Sequence, residues 1–309
     1  MSAESESLPR MFFKRLIASV TSLTLALSGC AMGPRVETPP PGAVPGPALW
    51  QVSDADTTIY LFGTVHALPK DKEWFDGRIE RAFNASNELV TEVDISDVTG
   101  SGTELQAAGM LPDGQSLRAM MTSANREEYE AALVSLGVPV ETLDKMEPWL
   151  AAMTLSLLPL LRSGYDTQSG VEISLGGKAG DTKQRAALET IDQQIALFDT
   201  MPTDAQLSFL DQTVDQVTHA TNDLDAMVAE WIKGDAAGLA RLMNAELTDP
   251  VLKDRLLLQR NANWAGWIQN RLAQPGTVFI AVGAGHLAGD GSVQDQLRKR
   301  HLKVRRIWQ

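Results

Sequence analysis

Two segments at opposite ends of the chain repeat one arrangement, and that repetition limits the folds available. In the first, an apolar run at residues 57–62 leads into Gly63-Thr64-Val65-His66, then a helical pattern at 74–86 and a second run at 88–95. In the other, an apolar run at 277–282 leads into Gly283-Ala284-Gly285-His286, then a helical pattern at 292–300 and a last run at 303–308. Short β-branched and aromatic runs of this length read as buried strands. Strand, helix, strand in under about 40 residues is a βαβ unit, whose strands run parallel. The spacing therefore predicts an α/β fold: a central, largely parallel sheet built from two βαβ units, with a long helical section between and around them.

That middle section predicts helices at 126–136, 141–161 and 171–178, with Pro148 and Pro159 bending or dividing the second. A short strand follows at 185–188, ending at Glu189. Further helices are expected at 191–201, 204–219, 223–233, 235–246 and 251–272, the last carrying Trp264 and Trp267 one turn apart as core packing.

The carboxyl ends of strands are where open α/β sheets bind ligands. Glycine at such a place permits positive φ and close backbone approach. Only four histidines exist, and His66 and His286 occupy matching places. Strand periodicity over 88–95 places Glu92 and Asp94 on one face with Val90, and carboxylates in an apolar strand are costly unless paired or metal-bound. Two histidines and a carboxylate are a usual ligand set for a catalytic divalent metal with an open position for water. A spare carboxylate, Asp94 or Glu189, could relay the proton or add a fourth ligand. Each residue also has a plainer reading. The histidines could be structural turn residues, Asp94 a turn cap, and Glu189 a partner of the next helix N-terminus. Arg260, before an Asn261 that is unfavourable in a helix unless used, could clamp a substrate carboxylate, buttress the acids or form an exposed ion pair. His219 and His301 read as surface residues.

The first 29 residues form an export signal. Lys14 and Arg15 precede an apolar stretch at 16–27 that is too short to span a bilayer core of about 30 Å. Leu27-Ser28-Gly29-Cys30 then resembles the lipobox of bacterial lipoproteins, so Cys30 is expected to carry the acyl chains. It is the sole cysteine, which excludes disulfides and thiol catalysis. Residues 30–47 hold six prolines and form an extended tether, and 48–309 form the folded domain. The class of Ala31-bearing lipoproteins implies a place on the outer membrane facing the periplasm. Removing 1–29 leaves 24 basic against 37 acidic residues, a charge of −13, which argues against nucleic acid as partner.

Several other chemistries lack their motifs. The run from Gly283 to Ala288 satisfies a dinucleotide-binding glycine pattern, but no acidic residue follows its second strand to hold a ribose. No His-Glu-x-x-His helix, Gly-x-Ser-x-Gly elbow or Walker A loop occurs.

Leu61 to His66, Glu92-Val93-Asp94, Leu188-Glu189-Thr190 with Gln193-Gln194, Arg260-Asn261 and Val282 to Leu287 together resemble the TraB/GumN family over residues 49–309. The resemblance implies kinship with the Tiki proteins, membrane-tethered metal-dependent proteases that use two Gly-x-x-His motifs and a glutamate. It implies His66, Glu92 and His286 as metal residues, manganese or cobalt as the ion, and a peptide or protein as substrate; the residues themselves point to a divalent ion without choosing among manganese, cobalt and zinc. A non-catalytic metal- or haem-binding lipoprotein, or an accessory of polysaccharide export, are the alternatives it leaves open.

Overall fold

In the computed structural model, residues 40–75, 77–94, 107–217, 220–246 and 249–308 are described. The expected signal, Cys30 and most of the tether, together with His219, lie outside them. Strands β1 (Leu49–Ser53) and β2 (Thr57–Thr64) form a hairpin, followed by helix α1 (Gly77–Ala85) and β3 (Glu88–Thr91). The helical section comprises α2 (Leu117–Met120), α3 (Ser123–Ser135), α4 (Pro148–Arg162) and α5 (Val171–Ala179). After β4 (Gln184–Ala187) come α6 (Ile191–Asp199), α7 (Thr203–Gln216), α8 (Ala220–Lys233), α9 (Ala236–Glu246) and α10 (Pro250–Lys253). A π turn over Asp254–Leu258 joins α10 to α11 (Gln259–Arg271). The chain closes with β5 (Gly276–Gly283), a 3₁₀ turn over Ala284–Leu287, α12 (Val293–Lys299) and β6 (Val304–Ile307).

The expected α/β architecture is present. Six strands lie in the order β4-β3-β5-β2-β1-β6, and only β1 runs against the others. The two βαβ units are interleaved instead of lying side by side, because β5 inserts between β2 and β3 and pairs in parallel with both. Strand β1, which the sequence reading missed, separates β6 from β2. Its Leu49, Trp50 and Val52 are buried, though the run is short and interrupted by Gln51.

Side chains alternate between the two faces, as period 2 requires. Phe62, Leu89, Phe279 and Ala281 pack with Ile79 and Phe83 of α1, Leu175 of α5 and Trp231 of α8. Ile59, Leu61, Val90, Val278 and Ile280 pack on the other face with Trp264 and Ile268 of α11 and Leu297 of α12. The sheet is thus covered on both faces, the usual condition for parallel strands. A separate core of Leu117, Tyr129, Leu133, Leu155 and Leu210 joins α2, α3, α4 and α7.

Three expected elements differ. The helix foreseen at 141–161 begins at Pro148, which takes the first helical position where its missing N–H costs nothing, and Pro159 lies inside the helix. The helix foreseen at 251–272 is broken in register by the π turn. The strand foreseen at 88–95 stops at Thr91, whose hydroxyl donates to the Val93 carbonyl (2.7 Å) and turns the chain. Glu92 therefore sits just beyond the strand end and not within an apolar strand. Among the described residues, no helix is long and apolar enough to cross a membrane.

Candidate functional site

Strand order explains which residues meet. The neighbours β4, β3, β5 and β2 are parallel, with Ala187 beside Thr91, Thr91 beside Ala281, and Gly283 beside Thr64. Glu189, Glu92, His286 and His66 follow the carboxyl ends of these strands in the same sideways order. A backbone bond from the Glu189 N–H to the Glu92 carbonyl (2.8 Å) prolongs the β3–β4 pairing and sets the two acids next to each other.

Arg260, from α11, lies among them. Its Nη2 donates to Glu92 Oε2 (2.6 Å) and Glu189 Oε2 (2.8 Å), and its Nε reaches Glu189 Oε1 (2.9 Å). The Trp264 indole N–H donates to Glu189 Oε1 (2.9 Å), and Gln194 Nε2 donates to both Glu92 Oε2 and Glu189 Oε2 (3.1 Å each). Glu92 Oε1 accepts from the Gly283 N–H (2.7 Å). Arg260 thus buttresses the two acids, one of the roles its position left open.

His286 is 5% exposed, and its ring nitrogens can be told apart. Arg260 Nη1 stands 3.1 Å from Nε2, and a guanidinium has only donors, so Nε2 carries the lone pair. The proton is therefore on Nδ1, which donates to Asn261 Oδ1 (2.6 Å), while Asn261 Nδ2 donates to the Gly291 carbonyl (2.9 Å) and so cannot flip. Burial first, and the nearby Arg260 and His66 charges, push the His286 pKa down to about 3 against the pull of Glu92. The ring is neutral at pH 7. Burial alone would raise the Glu92 carboxyl, but the charge of Arg260 and the Gly283 N–H hold it below the usual carboxylate range. With His286 neutral, Arg260 and Gly283 are the partners that matter.

His66 is placed differently. Its side chain is 77% exposed, and Nδ1 lies 2.8 Å from Glu172 Oε1. That hydrogen bond, and then the charge of Glu172, raise its pKa, and water screens the effect at so open a position. Glu92 and Arg260 act on it through charge alone, so His66 lies within electrostatic reach of the cluster but outside its hydrogen bonds. The two Gly-x-x-His turns, alike in sequence, differ in form: His286 is buried on a 3₁₀ turn and His66 lies exposed beyond a strand. Asp94 follows Glu92 by two residues, partly buried, at the last described position before 107. His301 is exposed, at φ 61°.

The turn glycines are needed for space, not for positive φ. A Cβ on Gly63 would meet the Ala284 Cα at 3.0 Å, and one on Gly283 would meet Glu92 Oε1 at 3.1 Å. The two turns therefore touch each other and the acid through glycine.

Sequence reasoning missed Glu172 and the second use of Trp264, which is core and hydrogen-bond donor at once. An acid in the first turn of a predicted helix was the available signal for Glu172, but many helices carry one for their dipole. Among the described residues, no three His, Cys, Asp or Glu side chains converge as ready metal ligands.

The chain matches the TraB/PrgY/gumN family over residues 48–306. An uncharacterized protein of Treponema pallidum (strain Nichols) is 25% identical over 270 residues, covering 82% of this chain and 80% of the relative. The uncharacterized protein YbaP of Escherichia coli (strain K12) is 25% identical over 246 residues, covering 78% and 88%. Metalloprotease TIKI2 of Danio rerio is 24% identical over 300 residues, covering 79% of this chain and 57% of that protein. No solved structure is a significant match. The matched span takes in both Gly-x-x-His turns and every residue of the buried cluster, and the chain belongs to the TraB/PrgY/gumN family.

Proposed function

We propose that the chain is a metal-dependent hydrolase, acting on peptide bonds, in which His66, Glu92 and His286 hold a divalent manganese, cobalt or zinc ion. The observation that carries this reading is the buried cluster itself. Two carboxylates against one guanidinium leave an excess negative charge beside a neutral imidazole whose Nε2 lies 3.9 Å from Glu92 Oε1. Buried negative charge next to a nitrogen donor favours a cation. The name metalloprotease carried by the Danio rerio relative points the same way.

The donors fit a divalent ion in kind, with two conditions: no three of them converge among the described residues, so His66 and Glu92 must close on His286, and Arg260 must give way. Arg260 Nη1 now uses the His286 lone pair, so it must leave Nε2 before that nitrogen can serve as a ligand. Its three contacts to Glu189 would keep the guanidinium at the site. When bound, the ion would acidify a water and polarise a carbonyl. The chain's own residues do the rest. Asn261 holds the His286 tautomer, Glu189 positions Arg260, and Arg260 is left to face a substrate carboxylate or a developing oxyanion. Asp94 is the remaining candidate to take a proton from the water. Acylation at Cys30 would tether this domain to the envelope, the face of the outer membrane toward the periplasm being the expected place.

A second reading, metal binding without turnover, would use the same three donors, His66, Glu92 and His286. The deciding experiment treats the full chain with a mixed peptide library and added manganese, cobalt or zinc, beside Glu92→Gln. Cleavage that follows the metal and disappears in the variant is expected. Metal uptake with every peptide intact would overturn the hydrolase and leave the binding reading.

A further inference from the structure

We propose that Glu172 is the positioning residue for His66: it holds the proton on Nδ1 of the neutral ring and so leaves Nε2 as the donor for the proposed metal site. This inference rests on the metal-dependent reading above.

The contact is built into the fold. Glu172 lies in the first turn of α5, and its side chain is only 16% exposed, although the histidine it holds is on the surface. Oε1 meets His66 Nδ1 at 2.8 Å and also accepts from the Thr64 hydroxyl, so strand end and turn are tied to one carboxylate oxygen. The backbone fixes the same register. The Val171 N–H donates to the Val65 carbonyl (3.0 Å), and a Cβ on Gly170 would lie 2.4 Å from the His66 carbonyl oxygen. Only glycine lets the start of α5 come this close to the turn.

A carboxylate accepts and cannot donate, so once the ring is neutral its proton belongs on Nδ1 and the lone pair on Nε2. That is the tautomer already fixed in His286 by a different partner, Asn261. Both Gly-x-x-His turns therefore offer Nε2 and spend Nδ1 on a second residue, although one ring is buried and the other exposed. A carboxylate or carbonyl on the far nitrogen is the usual support of a metal-binding histidine.

The test uses ¹⁵N spectra of the imidazoles in the metal-free full chain, at a pH high enough for the His66 ring to be neutral, with manganese and zinc titrations alongside. Wild type, Glu172→Gln, Glu172→Ala and His66→Ala are compared, the Gln variant being close to isosteric so that folding is retained. Wild type is expected to show a pyridine-like shift at Nε2 and a pyrrole-like shift at Nδ1. In Glu172→Ala the two tautomers should mix and metal affinity should fall by about 10–100-fold, less than in His66→Ala. Glu172→Gln, whose amide oxygen can still accept, should lie between. An unchanged tautomer in Glu172→Ala would overturn the proposal, as would unchanged metal affinity in either Glu172→Ala or His66→Ala. If wild type binds no metal, the metal-dependent reading fails, and the donor role proposed for Nε2 fails with it. The spectra would still tell whether Glu172 sets the tautomer, so the two failures are distinguishable.

Discussion

Removing Glu189 should cost the fold more than removing Glu92, although Glu92 is the residue placed closer to the chemistry. Glu189 accepts through both oxygens: three contacts from Arg260, one from Trp264 and one from Gln194. Glu189→Ala leaves the Trp264 indole N–H buried without its acceptor and strips Arg260 of its principal counter-ion. Breaking a buried ion pair from one side costs about 3–5 kcal/mol. Glu92→Ala removes one Arg260 contact, one Gln194 contact and the acceptor of the Gly283 N–H. Arg260 keeps its three contacts to Glu189, so the loss should stay near the cost of one unsatisfied donor, the Gly283 N–H, about 1–3 kcal/mol. Urea unfolding of both variants measures the order, provided the denaturant slope is unchanged. A Glu189→Ala loss below about 1 kcal/mol, or a larger loss for Glu92→Ala, would refute the view that Arg260 is held chiefly by Glu189.

Glycine substitutions should sort by what a Cβ would meet. Gly63→Ala and Gly170→Ala press on backbone atoms and should each destabilise by about 1–3 kcal/mol, whereas Gly177→Ala in α5 meets nothing within 4 Å and should be neutral or slightly stabilising in thermal melts. The Arg118 guanidinium, hydrogen-bonded to Asp144 (2.8 Å from Nε and from Nη2), outweighs partial burial and holds the Asp144 carboxyl below its ordinary value of 3.8. A depressed folded pKa means that the unfolded chain binds the proton first. The stabilisation is thus complete above about pH 4 and disappears as pH falls through the folded value. Asp144→Asn should accordingly be less stable than wild type at pH 7, with the gap narrowing in acid; a gap independent of pH would contradict the pairing. Trp231→Phe loses the indole donor to the Gly63 carbonyl (2.8 Å) and should cost about 1 kcal/mol beyond the change in packing.

The strands that carry the site were legible because each is a short apolar run closed by glycine or an acid. Periodicity found β2, β3, β4, β5 and β6, and with them His66, Glu92, Glu189 and His286. Their sideways order was not legible, since nothing local in residues 276–283 says that β5 lies between β2 and β3. That insertion sets His286 against Glu92. The end of β3 at Thr91 was hidden by Val93 and Ile95, which prolong the apolar alternation past a turn made by a threonine hydroxyl. The π turn at Asp254–Leu258 was equally hidden, because an extra residue in a helix leaves its composition intact. Asn261 could be singled out as a poor helix former, and its carboxamide is indeed in use on both sides. Glu172 could not, because its partner lies across the fold and its own surroundings read as an ordinary helix start.

The central claim is that two turns far apart in sequence supply one cation site. Metal content of the full chain, purified without chelator and measured beside His66→Ala and His286→Ala, tests it most directly. The account predicts about one divalent ion per wild-type chain and a loss of that ion in both variants, each still folded. A folded wild-type chain that takes up no manganese, cobalt or zinc, or a variant that keeps the ion, would contradict it.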